Sequence, residues 1–369
     1  MQDLGFNKPI KDTKIVVAMS GGIDSSVAAI SLKKMGYEVI GITMKLYNQS
    51  EIVKESKSCC AGKDIKDAVE IAKQFNFPHH ILNLQDIFFE KVINNFTESY
   101  AKGETPIPCI KCNQTVKFTD MLNVAKKMKA DALVTGHYAR IMNNDNLNKD
   151  IKLFRALDSS KDQTYFLFAT TKSQLNYLRF PLGNYKKQEI RDFAKDLDIK
   201  IKDKPDSQDI CFVTEGSYSK FISKLSPESF IEGNIVDTND NILGRHEGIA
   251  NFTIGQRKKI GIGGNIEPFY VLNINSKNNT IIVGSKKDLK KTKIFVEGLN
   301  WISNDVSDNM VCDAKIRSTQ KPKSGRITFE NENRVIFEFD ESQLNTSAGQ
   351  ACVFYRGDEV LGGGWIKSN

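Results

Sequence analysis

A six-residue segment, Ser-Gly-Gly-Ile-Asp-Ser at residues 20–25, constrains the fold of this chain more than any other feature. It follows a run typical of a buried strand, Ile-Val-Val-Ala-Met at 15–19, and it opens a helix-like run at 25–35. A glycine turn between a strand and a helix directs backbone N–H groups towards an anion, and the helix dipole adds to the attraction. The segment therefore predicts an α/β fold with an anion site at this turn.

The turn does not have the lysine of a Walker-type phosphate loop, and Ser20, Asp24 and Ser25 stand in its place. This pattern resembles the PP-loop of ATP pyrophosphatases, which cleave ATP between the α- and β-phosphates and leave AMP on an oxygen of the substrate. The resemblance implies that ATP and Mg²⁺ bind at the turn. An ordinary turn is the simpler interpretation, because glycine and aspartate are common in turns.

Strand-like and helix-like runs alternate through the first 200 residues. The strand-like runs after the first are 38–44, 79–84 and 132–136, and the helix-like runs between and beside them are 64–75, 86–101 and 113–128. Such alternation predicts a parallel sheet with helices on both faces, and ligands bind beyond the carboxyl ends of its strands. We therefore expect residues 20–25, Met44 and the Gly136-His137 pair to converge.

The pattern changes after about residue 205, and short strand-like runs separated by glycine, asparagine and aspartate turns follow from Gly233. These runs predict one or two small β-rich modules, with a linker at 286–293. We expect an ATP-binding catalytic domain at 1–215, a small central β-rich domain at 216–288 and a C-terminal β-barrel domain at 289–369.

Composition narrows the class of protein. The chain has 369 residues, 40% hydrophobic and 26% charged, which is typical of a globular protein. No run approaches the roughly 18 apolar residues of a membrane helix, and no secretory signal is visible, so we expect a cytoplasmic protein without membrane contact.

The net charge of +7, with basic clusters at 257–259, 286–293 and 315–326, permits a polyanionic partner, although solvated faces would look the same. Seven cysteines in such a protein favour thiol chemistry or metal binding over disulfides.

Six further segments, in this order and spacing, make the chain similar to the MnmA-type tRNA-specific 2-thiouridylases of the PP-loop superfamily. They are Pro-Ile-Pro-Cys-Ile-Lys-Cys-Asn-Gln-Thr-Val-Lys-Phe at 106–118, Thr-Gly-His-Tyr-Ala-Arg at 135–140, Lys-Asp-Gln-Thr-Tyr-Phe-Leu at 161–167, Asp-Ser-Gln-Asp-Ile-Cys-Phe at 206–212, Phe-Thr-Ile-Gly-Gln-Arg-Lys at 252–258 and Gly-Gly-Gly-Trp at 362–365. The resemblance implies a PP-loop α/β domain, a small central domain and a C-terminal β-barrel.

The resemblance also implies roles for individual residues. Cys112 matches the nucleophile, and Cys211 matches the cysteine that carries persulfide sulfur. The residues that match ATP contacts are Ala18, Met19, Ser20, Gly21, Gly22, Ile23, Asp24, Ser25, Met44 and Gly136. Those that match contacts to tRNA and its target base are Ile107, Pro108, Cys109, Lys161, Asp162, Gln163, Arg317 and Ser318.

The implied reaction is the 2-thiolation of the wobble uridine of tRNAs for Lys, Glu and Gln, with tRNA and a sulfur donor as partners and no DNA. Adenylation converts the uracil C2 oxygen into AMP, which leaves easily, and a persulfide on Cys211 supplies the sulfur. Cys112 either attacks that persulfide to release sulfide or resolves a covalent intermediate. Both routes end in a Cys112–Cys211 disulfide that a reductant resets.

One position departs from the family pattern, because Cys109 stands where many members have an aspartate. A thiol with an unperturbed pKa of ~8.5 is a poor substitute for an acid/base carboxylate. Cys109, Cys112 and Cys211 could instead hold a [4Fe–4S] cluster. The Cys109-x-x-Cys112 spacing is half of a typical zinc site, which would need a second such spacing, and the sequence has none.

Two further functions are compatible with a nucleotide-binding turn of this kind. One is that of a PP-loop amidotransferase or ligase, which would need no catalytic cysteine pair. The second is that of a tRNA-binding protein that holds ATP as a structural ligand, which would release no AMP when tRNA binds.

Overall fold

The computed structural model describes residues 1–47, 60–142, 151–206, 210–213, 218–263, 267–344 and 346–367. Across these ranges the chain has no helix that is both long enough and apolar enough to cross a membrane. The described residues form a parallel sheet with its helices, a small four-stranded sheet and a barrel, in that order along the chain.

The first unit contains seven strands and eight helices among its described residues. The strands are β1 (Lys14–Ala18), β2 (Glu38–Lys45), β3 (His79–Asn83), β4 (Ala132–Thr135), β5 (Ala139–Met142), β6 (Lys152–Arg155) and β7 (Leu178–Arg179). The helices are α1 (Ile23–Met35), α2 (Cys60–Gln74), α3 (Gln85–Phe88), α4 (Asn94–Ala101), α5 (Pro108–Lys111), α6 (Leu122–Lys127), α7 (Lys172–Tyr177) and α8 (Lys187–Asp196). Two π-helical segments, Phe89–Ile93 and Cys112–Met121, join α3 to α4 and α5 to α6.

Five of these strands form a parallel sheet in the order β3-β2-β1-β4-β7. The chain runs outward from β1 through β2 and β3 and then returns to the other side of β1 with β4. The carboxyl end of β1 therefore lies at the topological switch point, where ligands bind in doubly wound sheets. The predicted parallel sheet is confirmed.

Strand β1 is buried on both faces because helices cover the sheet above and below. Ile15 and Val17 belong to one hydrophobic cluster, together with Val27 of α1, and Val16 belongs to the cluster on the opposite face. All four side chains have no exposed surface. This two-sided burial explains why the strand reads as a continuous apolar run, as parallel strands do.

The second and third units are built from antiparallel and mixed β-structure. The second has the helix α9 (Tyr218–Leu225) and the strands β8 (Gly233–Val236), β9 (Ile242–His246), β10 (Tyr270–Asn275) and β11 (Thr280–Gly284), in the order β10-β11-β8-β9. The third has β12 (Lys290–Trp301), β13 (Val311–Lys315), β14 (Lys323–Asn331), β15 (Arg334–Leu344), β16 (Ala351–Arg356) and β17 (Glu359–Lys367). Pairing of β12 with β17 closes these six strands into a barrel, as the family resemblance predicts.

Two features differ from the sequence predictions. The expected linker at 286–293 is a short 3₁₀ turn at Lys286–Leu289, and Lys290 already begins β12 of the barrel. The hairpin of β5 and β6 was not predicted, and it extends the barrel sheet because β6 pairs with β17 at Phe154 and Glu359. Neither difference is visible in local periodicity, since strand pairing over such separations depends on how the units pack.

Candidate active site

The turn after β1 is shaped by a glycine with positive φ and by two serine hydroxyls. Gly21 has φ +73°, and a Cβ there would lie 2.2 Å from the carbonyl oxygen of Asp64 in α2. The Ser20 backbone N–H donates to Ser25 Oγ at 3.1 Å, and the two hydroxyl oxygens are 3.2 Å apart. The turn is thus closed on itself, and α1 begins directly after it at Ile23. This geometry fits a phosphate group.

Lys204 fixes the turn from outside. Its ammonium donates to the carbonyl oxygen of Gly21 at 2.8 Å, to Asp64 Oδ1 at 2.6 Å and to Asp67 Oδ2 at 2.7 Å. Because the lysine binds the carbonyl of Gly21, that carbonyl is directed away from an incoming anion. The sequence contained no signal for this role, since Lys204 lies 183 residues from Gly21.

The end of β4 approaches the start of α1 closely. A Cβ on Gly136 would lie 2.8 Å from the backbone nitrogen of Ser25 and 3.2 Å from Asp24 Cβ. The neighbouring His137 accepts or donates a hydrogen bond at 2.7 Å to Thr135 Oγ1 through Nδ1. Burial, together with the positive charge of Lys117, lowers the pKa of His137 well below its ordinary value, so the ring is neutral.

The other expected ATP residues surround this turn. The N–H of Met19 donates to the carbonyl of Ile42 at 2.8 Å, and the hydroxyl of Thr43 donates to the carbonyl of Met19 at 2.8 Å, which ties the end of β1 to β2. Met44 is half-buried and packs against two hydrophobic clusters. Ala18 also packs against one of them, and Cys112 is a member of the other. The turn, Met44 and Gly136 therefore lie at the carboxyl ends of three adjacent strands, β1, β2 and β4.

Asp24, the second residue of α1, is held by two other side chains. The Tyr138 hydroxyl donates to Asp24 Oδ1 at 2.9 Å. The ammonium of Lys187 donates to both carboxylate oxygens of Asp24 at 2.7 Å and lies 2.9 Å from Asp206 Oδ1. Asp206 is thereby linked to the phosphate-binding turn.

The three cysteines at 109, 112 and 211 are brought together by the fold. Cys112 is buried at the start of the π-helical segment Cys112–Met121, whereas Cys109 and Cys211 are exposed. Loss of water around the thiols raises all three pKa values, that of Cys211 to about 12, and the charges of Cys112 and Cys109 contribute to the rise at Cys211. The packing agrees, because Cys112 lies in one hydrophobic cluster with Phe212 and Ile210, the neighbours of Cys211. π-Helical turns are frequent at functional sites.

Lys117 is a cation whose charge acts on these thiols, and the motif at 106–118 contains it without assigning it a role. Its positive charge lowers the pKa of Cys109, Cys112 and Cys211, against the larger effect of burial. Its ammonium donates to Asn113 Oδ1 at 2.9 Å. The signal that could have found it is the i,i+4 spacing of Asn113 and Lys117, which places both on one side of a helix.

An aromatic cluster anchors the chain around Cys211. Phe212 is buried, and its ring centroid lies 5.7 Å from that of Phe88 and 5.3 Å from that of Phe96. The Tyr47 hydroxyl donates to the carbonyl oxygen of Cys211 at 2.6 Å. Residues 207–209 of the matching segment lie outside the described residues.

The predicted tRNA-contact residues before Cys112 lie where the first unit meets the barrel. Pro108 is buried at the first position of α5, Ile107 is half-buried, and Cys109 is exposed. Just upstream, the Thr105 N–H donates to the carbonyl of Ala348 at 2.8 Å, and Gln350 Nε2 donates to the Thr105 carbonyl at 2.9 Å. The barrel therefore holds the segment that carries two of the thiols.

The Lys-Asp-Gln segment at 161–163 is engaged within the protein. Lys161 Nζ donates to Asp206 Oδ2 at 2.8 Å, and Gln163 Oε1 accepts from the Tyr138 N–H at 2.9 Å. The Asp162 side chain is only 1% exposed and lies 3.4 Å from Arg155 Nε and 3.8 Å from Lys315 Nζ. Asp162 is therefore placed to orient this segment, with its carboxylate directed towards the barrel strand β13.

The basic surface expected at 315–326 needs one correction. Lys315 is buried, and its ammonium lies 3.8 Å from Asp162 Oδ2. It therefore does not belong to a solvated basic face. Arg317 and Ser318 follow β13 and are both half-buried, while Lys321 is exposed. Burial lowers the pKa of Arg317, and the charge of Tyr165 acts in the opposite direction.

Three family models match the chain in succession. They are described as the tRNA methyl transferase HUP domain at residues 13–215, the tRNA methyl transferase PRC-barrel domain at 219–285 and the aminomethyltransferase beta-barrel domain at 291–366. A tRNA-specific 2-thiouridylase MnmA from Orientia tsutsugamushi (strain Boryong) is 51% identical over 354 residues, which cover 95% of each chain. One from Wolbachia sp. subsp. Drosophila simulans (strain wRi) is 50% identical over 357 residues, 96% of this chain and 95% of the relative.

The chain belongs to the tRNA-specific 2-thiouridylase family. Its identity to these 2-thiouridylases extends over all three units. Among solved structures, the U34-tRNA thiolase NcsA from Methanococcus maripaludis with its [4Fe-4S] cluster matches with a TM-score of 0.37 and 16% identity, over 61% of this chain and 68% of that chain. Its membership of the 2-thiouridylase family, shown by the relatives at 50–51% identity, makes this chain a tRNA sulfurtransferase with an ATP-binding PP-loop domain.

Proposed function

We propose that this chain catalyses the ATP-dependent 2-thiolation of the wobble uridine in tRNAs for Lys, Glu and Gln. One observation supports it above the others: Cys112 packs in the same hydrophobic cluster as Ile210 and Phe212, which flank Cys211, and Met44 at the end of β2 packs against that cluster too. A nucleotide site and a sulfur site thus adjoin. A uracil between them would have its C2 oxygen near the α-phosphate and its C2 carbon near the thiols.

In the first step the C2 oxygen attacks the α-phosphorus of ATP, which forms an O-adenylate and releases pyrophosphate. The turn amides and the hydroxyls of Ser20 and Ser25 would bind the departing phosphates, since hydrogen-bond donors already fixed in place stabilise developing charge without reorganisation. Gly136 lets the end of β4 approach the start of α1 because it has no side chain. Mg²⁺ bound to the phosphates would supply further positive charge.

In the second step sulfur replaces the activated oxygen. A sulfur donor, a cysteine desulfurase or a relay protein, loads Cys211 as a persulfide. The terminal sulfur attacks C2 and AMP leaves, and Cys112 then attacks the Cys211 sulfur so that the S–S bond breaks and the sulfur stays on the base. Alternatively Cys112 first displaces hydrosulfide from the persulfide, and the hydrosulfide attacks C2. In both routes the two cysteines are oxidised to a disulfide, and a dithiol reductant restores them.

The test is thiolation of an unmodified tRNA transcript with Mg-ATP and a desulfurase-loaded sulfur source, followed by mercury-gel retardation. We expect a retarded band for the wild-type protein that requires ATP and is absent for Cys112→Ser and Cys211→Ser. Cys312→Ser is the matched control, because Cys312 is buried in the barrel core away from the site. A Cys211→Ser protein that still thiolates with the persulfide donor would contradict the persulfide route.

A route through an iron–sulfur cluster makes a different prediction for Cys109. Among the described residues, no three His, Cys, Asp or Glu side chains are grouped in a way that could hold a metal ion. The persulfide route predicts that Cys109→Ser lowers the thiolation rate by less than about tenfold, since a neutral thiol contributes little acid/base catalysis. Complete loss in Cys109→Ser, together with iron and visible absorbance in anaerobically purified protein, would favour the cluster.

A further inference from the structure

A chain of ion pairs links the phosphate-binding turn to Asp206, and Lys187 stands at its centre. The network consists of Asp24, Lys187, Asp206, Lys161 and Arg191. Lys187 Nζ lies 2.7 Å from Asp24 Oδ1 and 2.9 Å from Asp206 Oδ1, and Arg191 Nη2 lies 2.9 Å from Asp206 Oδ1. The Lys187 side chain is only 9% exposed, less than any other member. We call this set the Asp24–Asp206 network.

We propose that Lys187 is a positioning residue for ATP. It holds the Asp24 carboxylate in place at the phosphate-binding turn and neutralises its charge, while Asp206 holds Lys187 itself. The inference rests on the proposed function, because it assumes that the turn binds the phosphates of ATP.

The need for such a residue follows from charge. Asp24 lies in the first turn of α1, where the triphosphate is expected, and a carboxylate without a counterion there would repel a polyanion. Within the part of the chain that the structure describes, Lys187 is the one cation paired with Asp24, since Tyr138 contributes a neutral hydroxyl. Lys187 therefore supplies the positive charge that offsets Asp24 at this turn.

Asp206 is suited to hold Lys187. Partial burial opposes its ionisation, but hydrogen bonds from Lys161 and Lys187 lower the pKa of Asp206 to about 2. It is therefore fully charged at neutral pH. The N–H of Lys187 also donates to Asp158 Oδ2 at 3.0 Å, which fixes the start of α8. Lys187 is thus held at both its backbone and its ammonium, as a residue that orients another group should be.

The first experiment is calorimetric titration of the full-length protein with a non-hydrolysable ATP analogue and Mg²⁺. We expect Lys187→Met to weaken binding by roughly tenfold to a hundredfold, the effect of removing one partner of a charged hydrogen bond. Lys186→Met is the matched control, because the preceding lysine is exposed, and its affinity should equal that of the wild type. Lys187→Arg keeps the charge and should recover most of the affinity.

A second readout separates positioning from a structural role. In Lys187→Met the uncompensated Asp24 should recruit Mg²⁺, so the affinity defect should shrink as free Mg²⁺ rises, while the melting temperature need not recover. Asp206→Asn, which removes one of the two carboxylates on Lys187, should weaken analogue binding in the same direction and by less. The Asp206→Asn variant also tests the proposal if Lys187→Met does not fold.

Several results would overturn the proposal. These are wild-type affinity in Lys187→Met, a defect that does not respond to Mg²⁺, and a Lys187→Arg protein as weak as Lys187→Met. The proposed function fails separately, because analogue binding requires neither tRNA nor sulfur donor. A wild-type protein that binds the analogue but does not thiolate tRNA would contradict the proposed function and leave the Lys187 comparison valid.

Discussion

At the residue scale, the raised pKa of Cys211 affects how the sulfur site can work. Although Cys211 as a residue is exposed, loss of water around its thiol first, and then the charges of Cys112 and Cys109, raise this pKa to about 12, so the resting thiol is protonated at neutral pH. A persulfide is more acidic than a thiol, so loading Cys211 with sulfur, as proposed, would lower the pH at which this residue becomes an anion.

We predict that alkylation of Cys211 by iodoacetamide accelerates about tenfold per pH unit between roughly pH 7 and 10, because the thiolate fraction rises that way below the pKa. Lys117→Met should slow alkylation further, since the Lys117 charge lowers this pKa, whereas Lys127→Met, at an exposed helical lysine, should not. Peptide mass spectrometry measures the rate. A plateau near pH ~8.5, the value of a free cysteine, would contradict the raised pKa.

At the element scale, the turn where we propose that ATP binds depends on how closely β4 approaches the start of α1. The position of Gly136 leaves no space for a side chain, since a Cβ would lie 2.8 Å from the Ser25 nitrogen and 3.1 Å from the Asp24 carbonyl carbon. The Ser25 nitrogen and the Asp24 carbonyl carbon are backbone atoms of α1, so they cannot move away without displacing the helix. The phosphate-binding turn precedes α1 directly and would move with it.

We therefore predict that Gly136→Ala weakens ATP-analogue binding by on the order of tenfold to a hundredfold, as overpacking costs about 1–3 kcal/mol. Gly62→Ala is the control, because a Cβ on this exposed glycine of α2 meets no atom within 4 Å. That variant should bind normally and be slightly more stable, since alanine favours a helix. Unchanged affinity in Gly136→Ala would show that the close approach does not control the site.

At the scale of the whole molecule, the barrel and the catalytic unit are joined at several places. The hairpin of β5 and β6 extends the barrel sheet, the Thr105 N–H reaches the carbonyl of Ala348, and Asp162 lies beside Lys315. Lys315, the last residue of β13, therefore lies beside Asp162, and the loop with Arg317 and Ser318 follows it directly. A tRNA could then contact the barrel and the thiol site together.

We predict that Arg317→Ala with Lys321→Ala weakens tRNA binding and reduces the slope of log affinity against log salt by on the order of 1–2, because each phosphate contact releases counterions. ATP-analogue affinity should not change. Filter binding over a salt series measures both quantities. The control is Lys277→Ala, an exposed lysine in the turn between β10 and β11. An unchanged slope would place the tRNA surface elsewhere.

The sequence by itself determined the parts of this protein that depend on local pattern. The apolar run of β1 and the glycine turn led to the parallel sheet and the nucleotide site, because burial on both faces and a tight turn each require particular neighbouring residues. The resemblance placed Cys112 and Cys211 in the sulfur chemistry. It could not show that Lys117 lies beside them, since that depends on how the π-helical segment faces residues 210–213.

Only the tertiary structure decided which charged side chains meet. Lys187 reaches Asp24 across 163 residues of sequence, Lys204 reaches Gly21 across 183, and Lys315 is buried beside Asp162 although its neighbours in sequence suggested a solvated basic face. The physical reason is that local periodicity reports whether a residue is buried, whereas the partner of a charge is set by the packing of distant elements, which no short window of sequence contains.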